Sequence, residues 1–209
     1  MRYNRLYKDN NFLTPTTYTQ TLSEYTETLR YEDIPADVVE RAKMIMLQTV
    51  GAALAAKGTP IAEKACRMSE EANGGEGGAT SVWGTGKKMA AVNAALALGT
   101  MSDALDWEDC SWTGHPAAGV IPCAWLAAEE KHKSGKDLIT AIVAGYEVYQ
   151  RIACAVQPSD ERWKTKGWGL TSWQIFGCII PVAKLYGLDA RKINQAIGLG
   201  REGSPLPTA

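Results

Sequence analysis

The chain has 209 residues, 45% of them apolar, with 22 Lys plus Arg against 23 Asp plus Glu and a formal net charge of −1. That length supports a real hydrophobic core in one large domain or two small ones, and the balanced charge excludes the clustered basic field that nonspecific nucleic-acid binding needs. No uninterrupted apolar run is long enough for a membrane span, and the polar start, Met1 to Lys8, lacks the apolar centre of a signal peptide, so the expectation is a soluble cytoplasmic protein without nucleic-acid or membrane partners.

In chain order, residues 1–16 read as an irregular arm. From Thr17 to Arg30 the apolar set Tyr18, Leu22, Tyr25 and Leu29 lies on one helical face. Glu32-Asp33-Ile34-Pro35 stops and restarts the chain, because proline fits a first helical turn and acids there suit the helix dipole. A long helix from Ala36 to about Ala56 follows, its second half small and apolar all round, which predicts burial on most sides. Ile61 to Asn73 is an amphipathic helix closed by Gly74-Gly75. Thr80 to Gly84 reads as a short extended piece, and Lys87 to about Leu105 as an alanine-rich helix.

A polar loop comes next, and after Pro116 a helix runs to about Lys133. Ser134 and Asp137 form a capping box for a helix through Val156. Residues 157–169 break the pattern. Helix resumes near Thr171 and ends at Gly187, and Asp189 caps a last helix from Ala190 to Leu199. The tail, residues 201–209, has no pattern. These elements give an all-α fold of roughly eight helices and at most one strand. The five cysteines show no Cys-x-x-Cys spacing, so neither a disulfide framework nor a metal cluster is expected. Cys66, Cys123, Cys154 and Cys178 fall in apolar helical patterns and read as small core residues.

The chemistry concentrates in residues 104–119, Ala-Leu-Asp-Trp-Glu-Asp-Cys-Ser-Trp-Thr-Gly-His-Pro-Ala-Ala-Gly. Asp106 ends one helix, and His115, preceding a proline, stands just outside the next. A helix N-terminus disfavours added positive charge and keeps such an imidazole ready to accept a proton. Asp106, at a helix C-terminus beside Glu108 and Asp109, sits where ionisation is disfavoured. A neutral base and a carboxylic acid facing one pocket suit proton abstraction next to a carboxylate with acid-assisted departure of a leaving group. The bland alternative is an acid-rich connector ended by a His-Pro cap, and composition alone favours it. Arg162, Lys164 and Lys166 offer positive charge to a carboxylate substrate or are simply solvated. His132, among Glu129, Glu130, Lys131 and Lys133, reads as a solvated face.

Several blocks in order resemble the helical N-terminal part of the MmgE/PrpD family, which includes 2-methylcitrate dehydratase, cis-aconitate decarboxylase and iminodisuccinate epimerase. They are Glu32-Asp33-Ile34-Pro35 with Val38 to Lys43, Ala91 to Leu96 running into Ala104 to Asp109, His115-Pro116, Ala144 to Val148, and Ala183 to Leu188. The resemblance covers residues 17–200 and implies a cofactor-free, metal-free lyase acting on a small di- or tricarboxylate, most simply a hydro-lyase like 2-methylcitrate dehydratase. It also implies a homodimer and a smaller α/β lid domain that would lie beyond Ala209, in the same gene product or in a separate chain. Asp106 and His115 match the catalytic aspartate and histidine of the family, and Cys110, Lys166 and Thr171 are carried over as substrate-binding candidates. Gly169 stands where many relatives carry a histidine. The alternatives are epimerase or decarboxylase action on a similar acid, or a truncated helical interaction module with no activity of its own.

Overall fold

The computed structural model describes residues 17–111, 114–156 and 172–203. Among them the chain forms helices α1 (Tyr18–Thr28), α2 (Ala36–Ala56), α3 (Pro60–Ala72), α4 (Ala91–Asp103), α5 (Ala117–Glu130), α6 (Gly135–Val156), α7 (Gln174–Leu185) and α8 (Ala190–Gly203), with a 3-10 turn at Tyr31–Asp33. The all-α expectation holds, and most boundaries fall within a few residues of those read from the sequence. Their caps explain why. Thr17 and Gln20 form a reciprocal capping box on α1. The Asp137 amide donates to the Ser134 hydroxyl at 3.2 Å while the Ser134 amide donates to the Asp137 carboxylate at 3.0 Å. Asp189 accepts from the Lys192 amide at 2.8 Å.

Three expectations need correction. Lys87–Met89 is not the start of the alanine-rich helix but a strand, β2, antiparallel to β1 (Thr80–Val82), with Thr80 opposite Met89 and Val82 opposite Lys87. The Ser81 amide and hydroxyl donate to Glu129 at 2.8 and 2.6 Å, which ties the hairpin to the end of α5. Cys154 is exposed rather than a core residue. The small-residue half of α2 is not buried on most sides: Ala52, Ala53 and Ala56 face inward, but Gly51, Leu54 and Ala55 are exposed, and along the whole helix Met44, Leu47 and Leu54 are 63%, 75% and 45% exposed. These three positions share one side of the helix, and α4 likewise exposes Val92 and Leu96. The all-round apolar pattern thus records an outer face with nothing packed on it among the described residues.

The core has two connected parts. Leu98 and Met101 of α4, Val120 and Ile121 of α5, and Ile142 of α6 fill one with Val82 and Met89 of the hairpin; Val148 and Tyr149 of α6, Phe176 and Ile180 of α7, and Ile193 and Ile197 of α8 fill the other. Each such fully buried aliphatic side chain contributes about 1.5–3 kcal/mol relative to exposure. α7 packs against both α5 and α6, and glycines permit the approach: an added Cβ on Gly145 would lie 3.1 Å from both Pro181 and Val120, and one on Gly177 3.0 Å from Tyr149 and Val120. Lys184 of α7 donates to the carbonyls of Thr26 and Leu29 at 2.6 and 2.8 Å, so it satisfies acceptors left free at the end of α1. Among the described residues no helix is long and apolar enough to cross a membrane. The result for function is a rigid α4–α5–α7 frame that holds the ends of the acidic loop.

Candidate active site

The loop begins where α4 runs out. Asp103 accepts from the Asp106 amide at 3.1 Å, and Asp106 itself takes a left-handed backbone conformation, φ 53°, an uncommon state for a residue with a side chain. That turn leaves Trp107 64% exposed and sends the next side chain inward, so the Glu108 carboxylate has no solvent exposure. The Gln48 amide of α2 donates to the Trp107 carbonyl at 2.7 Å and fixes the turn from below. Asp109 then accepts from the Ala117 amide at 2.9 Å, satisfying a free donor at the start of α5 where the helix dipole favours negative charge. Ser111 and Gly114 exchange backbone hydrogen bonds at 2.8 and 3.1 Å, closing a tight return that delivers His115 to the helix entrance. Gln174 of α7 donates to the carbonyls of His115 and Pro116, each at 3.2 Å.

This scaffold brings three of the loop's polar side chains together. His115 Nδ1 lies 3.0 Å from Glu108 Oε1 and 3.7 Å from Asp106 Oδ1. Asp106 is 83% exposed at its side chain and His115 27%. Nδ1 is buried, so the exposed part of the ring is its other side. One atom from each of Asp106, Glu108 and His115 falls within 4.8 Å of the others, a set that could hold a divalent cation. Cys110 shares the loop but is exposed, with its thiol 3.6 Å from the Ser111 carbonyl. Lys166 and Thr171 lie outside the described residues, as do Arg162, Lys164 and Gly169. His132 is exposed, as expected, and ends α5 in a left-handed turn.

Electrostatics adds two carboxyls that sequence reasoning did not single out. Burial and the nearby Asp103 charge push Glu108 above the usual carboxylate range, against a smaller opposing pull from His115. Burial also raises Asp109, although its bond from the Ala117 amide and the neighbouring Tyr146 hydroxyl oppose this. Burial and the Asp109 charge in turn push the Tyr146 phenol far up. A carboxyl raised in the folded state contributes stability fully present below its unfolded midpoint and lost as pH rises through its folded midpoint. Glu108→Gln removes that loss for one of the pair. Thermal unfolding should therefore find the variant close to wild type in acid buffer and more stable at neutral pH. Equal stability at both would show that Glu108 carries no such penalty.

Two concave surfaces of the described part lie away from the loop. One of about 430 Å³ runs between α2, α3 and the hairpin turn, lined by Lys57, Glu63, Arg67 and Thr85, and one of about 400 Å³ lies between the 3-10 turn and the start of α6. Neither is lined by the loop residues.

The MmgE/PrpD N-terminal domain model matches residues 20–202. A cis-aconitate decarboxylase-like protein of Aspergillus oryzae is 28% identical over 193 residues, covering 87% of this chain and 39% of its own length. A cis-aconitate decarboxylase of Aspergillus terreus is 30% identical over 193 residues, covering 87% of this chain and 38% of its own. The chain thus spans about two fifths of the length of these curated relatives. With nearly every described element inside the matched span, this chain belongs to the MmgE/PrpD family and corresponds to its N-terminal helical domain.

Proposed function

We propose that this chain is the helical half of a lyase acting on a small di- or tricarboxylate, with His115 moving a proton at a carbon next to a carboxylate. The observation that carries the reading is the imidazole held at the entrance of α5, 27% exposed, with Nδ1 buried beside the Glu108 carboxylate. As base, His115 takes the carbon-bound proton while Asp106 gives a proton to the departing hydroxide, so that water leaves and a double bond forms. The decarboxylase relatives favour a second reading on the same residues. There the carbon–carbon bond breaks, carbon dioxide leaves with one carboxyl, and the electron pair left on carbon accepts a proton. Cys110, at the loop rim, and Lys166 and Thr171 are proposed to contact the substrate.

The test is a screen of 2-methylcitrate and cis-aconitate, following water loss by alkene absorbance and carbon dioxide release. It is run on this chain alone and together with the product of the adjoining reading frame. Turnover of either acid supports the reading, and none in both samples favours a non-catalytic helical module. The proposal needs no metal. EDTA should leave turnover unchanged, and loss with EDTA restored by zinc or manganese would make the loop trio a cation site instead. The exposed Met44, Leu47 and Leu54 face is assigned to a second copy of the chain. Sedimentation should give a dimer, and a clean monomer would remove that assignment.

A further inference from the structure

The sequence singles out Asp106 and His115 from the loop; for the group that orients the imidazole, the geometry points to Glu108. We propose that Glu108 is the positioning residue for His115: it holds the Nδ1 proton and so leaves Nε2, on the ring's other side, free to exchange protons with substrate. This deepens the reading of His115 as a base and rests on it.

Three buried atoms carry the argument. Glu108 Oε1, Glu108 Oε2 and His115 Nδ1 are out of contact with solvent and have no hydrogen-bond partner of good geometry. Leaving a buried polar atom unpaired costs about 1–3 kcal/mol, so three together in one small space call for a shared solution. The distance supplies it, because Nδ1 and Oε1 are 3.0 Å apart, at hydrogen-bonding separation though not aligned. Poor alignment before substrate binds is common at catalytic pairs, and a modest rotation of the ring corrects it. Asp106 is a weaker candidate for the same task. Its oxygen is 3.7 Å from Nδ1 and its side chain is 83% exposed, so water competes for the carboxylate and little orientation results.

The local backbone explains why the roles separate. The left-handed turn at Asp106 keeps that carboxylate outside, where a substrate arrives, and drives Glu108 beneath the ring. Asp109, the next acid, is committed to the Ala117 amide. The three consecutive-looking acids therefore do three different things: one faces solvent, one orients the base and one caps α5. A carboxylate behind the distal nitrogen fixes a histidine's tautomer, a general device for making the other nitrogen the acceptor.

The chain has two histidines, His115 and His132, so long-range proton–nitrogen NMR of a histidine-labelled sample reads both rings, with exposed His132 as the internal reference. In the neutral ring, wild-type His115 should carry its proton on Nδ1. Glu108→Leu, which fills a buried site with an apolar side chain of similar size, should shift the ratio toward the Nε2–H form by about tenfold or more, and Glu108→Asp should partly restore it. His132 should not change in either variant. An Nε2–H ring in the wild type, or an unchanged ratio in Glu108→Leu, would overturn the proposal; the wild-type spectrum suffices even if a variant fails to fold. No substrate enters this measurement, so its outcome stands apart from whether the chain is a lyase. In the active enzyme, Glu108→Gln should lower kcat by about tenfold or more with KM little changed, whereas a purely structural role would leave kcat per folded molecule unaltered.

Discussion

Replacing His115 with alanine is expected to cut kcat/KM by about a hundred- to ten-thousandfold, the usual contribution of a positioned general base or acid. The loss should fall on kcat, because the imidazole acts on the reacting proton and not on remote parts of the acid. Some stability goes with it: the buried Glu108 carboxylate faces His115 Nδ1 at 3.0 Å, and removing the ring leaves that acid unpaired at a cost of about 1–3 kcal/mol. His115→Gln separates the two effects. It fills the space and offers an amide hydrogen to Glu108 but transfers no proton at neutral pH, so it should recover stability without recovering turnover. Circular dichroism melting beside steady-state rates checks both halves. Asp106→Asn should behave differently, with little change in melting, since its side chain is 83% exposed.

The largest structural effect is expected at Gly119, one turn into α5. An added Cβ there would lie 2.4 Å from Gln174 Nε2 and 2.7 Å from Cys178 Sγ. The Gln174 amide is itself tied to the carbonyls of His115 and Pro116, so it cannot swing aside without releasing the backbone that carries the base. Gly119→Val should therefore cost about 1–3 kcal/mol for overpacking and about 1 kcal/mol for each hydrogen bond given up. A loss of ~3 kcal/mol lowers Tm by about 6–12 °C in a chain of this size. Gly198→Ala, on the exposed side of α8, is the matched control. Nothing lies within 4 Å of a Cβ built at that helical position, and alanine there should raise stability by about 0.5–1 kcal/mol. If Gly119→Val melted like wild type with normal turnover, the α5–α7 contact would not be what holds His115.

What the sequence made legible follows its periodicity. Helices α1, α3 and α6, the Ser134–Asp137 box and the Asp189 cap all follow from spacing rules local to a few residues, and each is present, but the expected α1 face is not the buried one: Tyr18 is 92% exposed while Ser23 and Thr26 are buried. The β2 strand was hidden because Lys87 and Lys88 are good helix formers directly before an alanine-rich run. The available signal was the turn: Gly84 and Gly86 both take positive φ, 70° and 73°, as a tight hairpin requires. The site divides in the same way. Asp106 and His115 could be read as candidates from the family blocks, and the structure places them 3.7 Å apart. Glu108 could not, because an irregular loop has no period from which to read which acid points inward. Gln174 was invisible for another reason: it reaches His115 from 59 residues away, and only the close approach of α5 and α7 at Gly119 joins them.

The most direct measurement of the central claim is solvent deuterium incorporation during turnover in heavy water, run on this chain together with the product of the adjoining reading frame. The account predicts deuterium at a carbon next to a carboxylate, in recovered substrate or in product, at a rate that falls with kcat in the His115 variants. Incorporation at the wild-type rate in His115→Gln would contradict it.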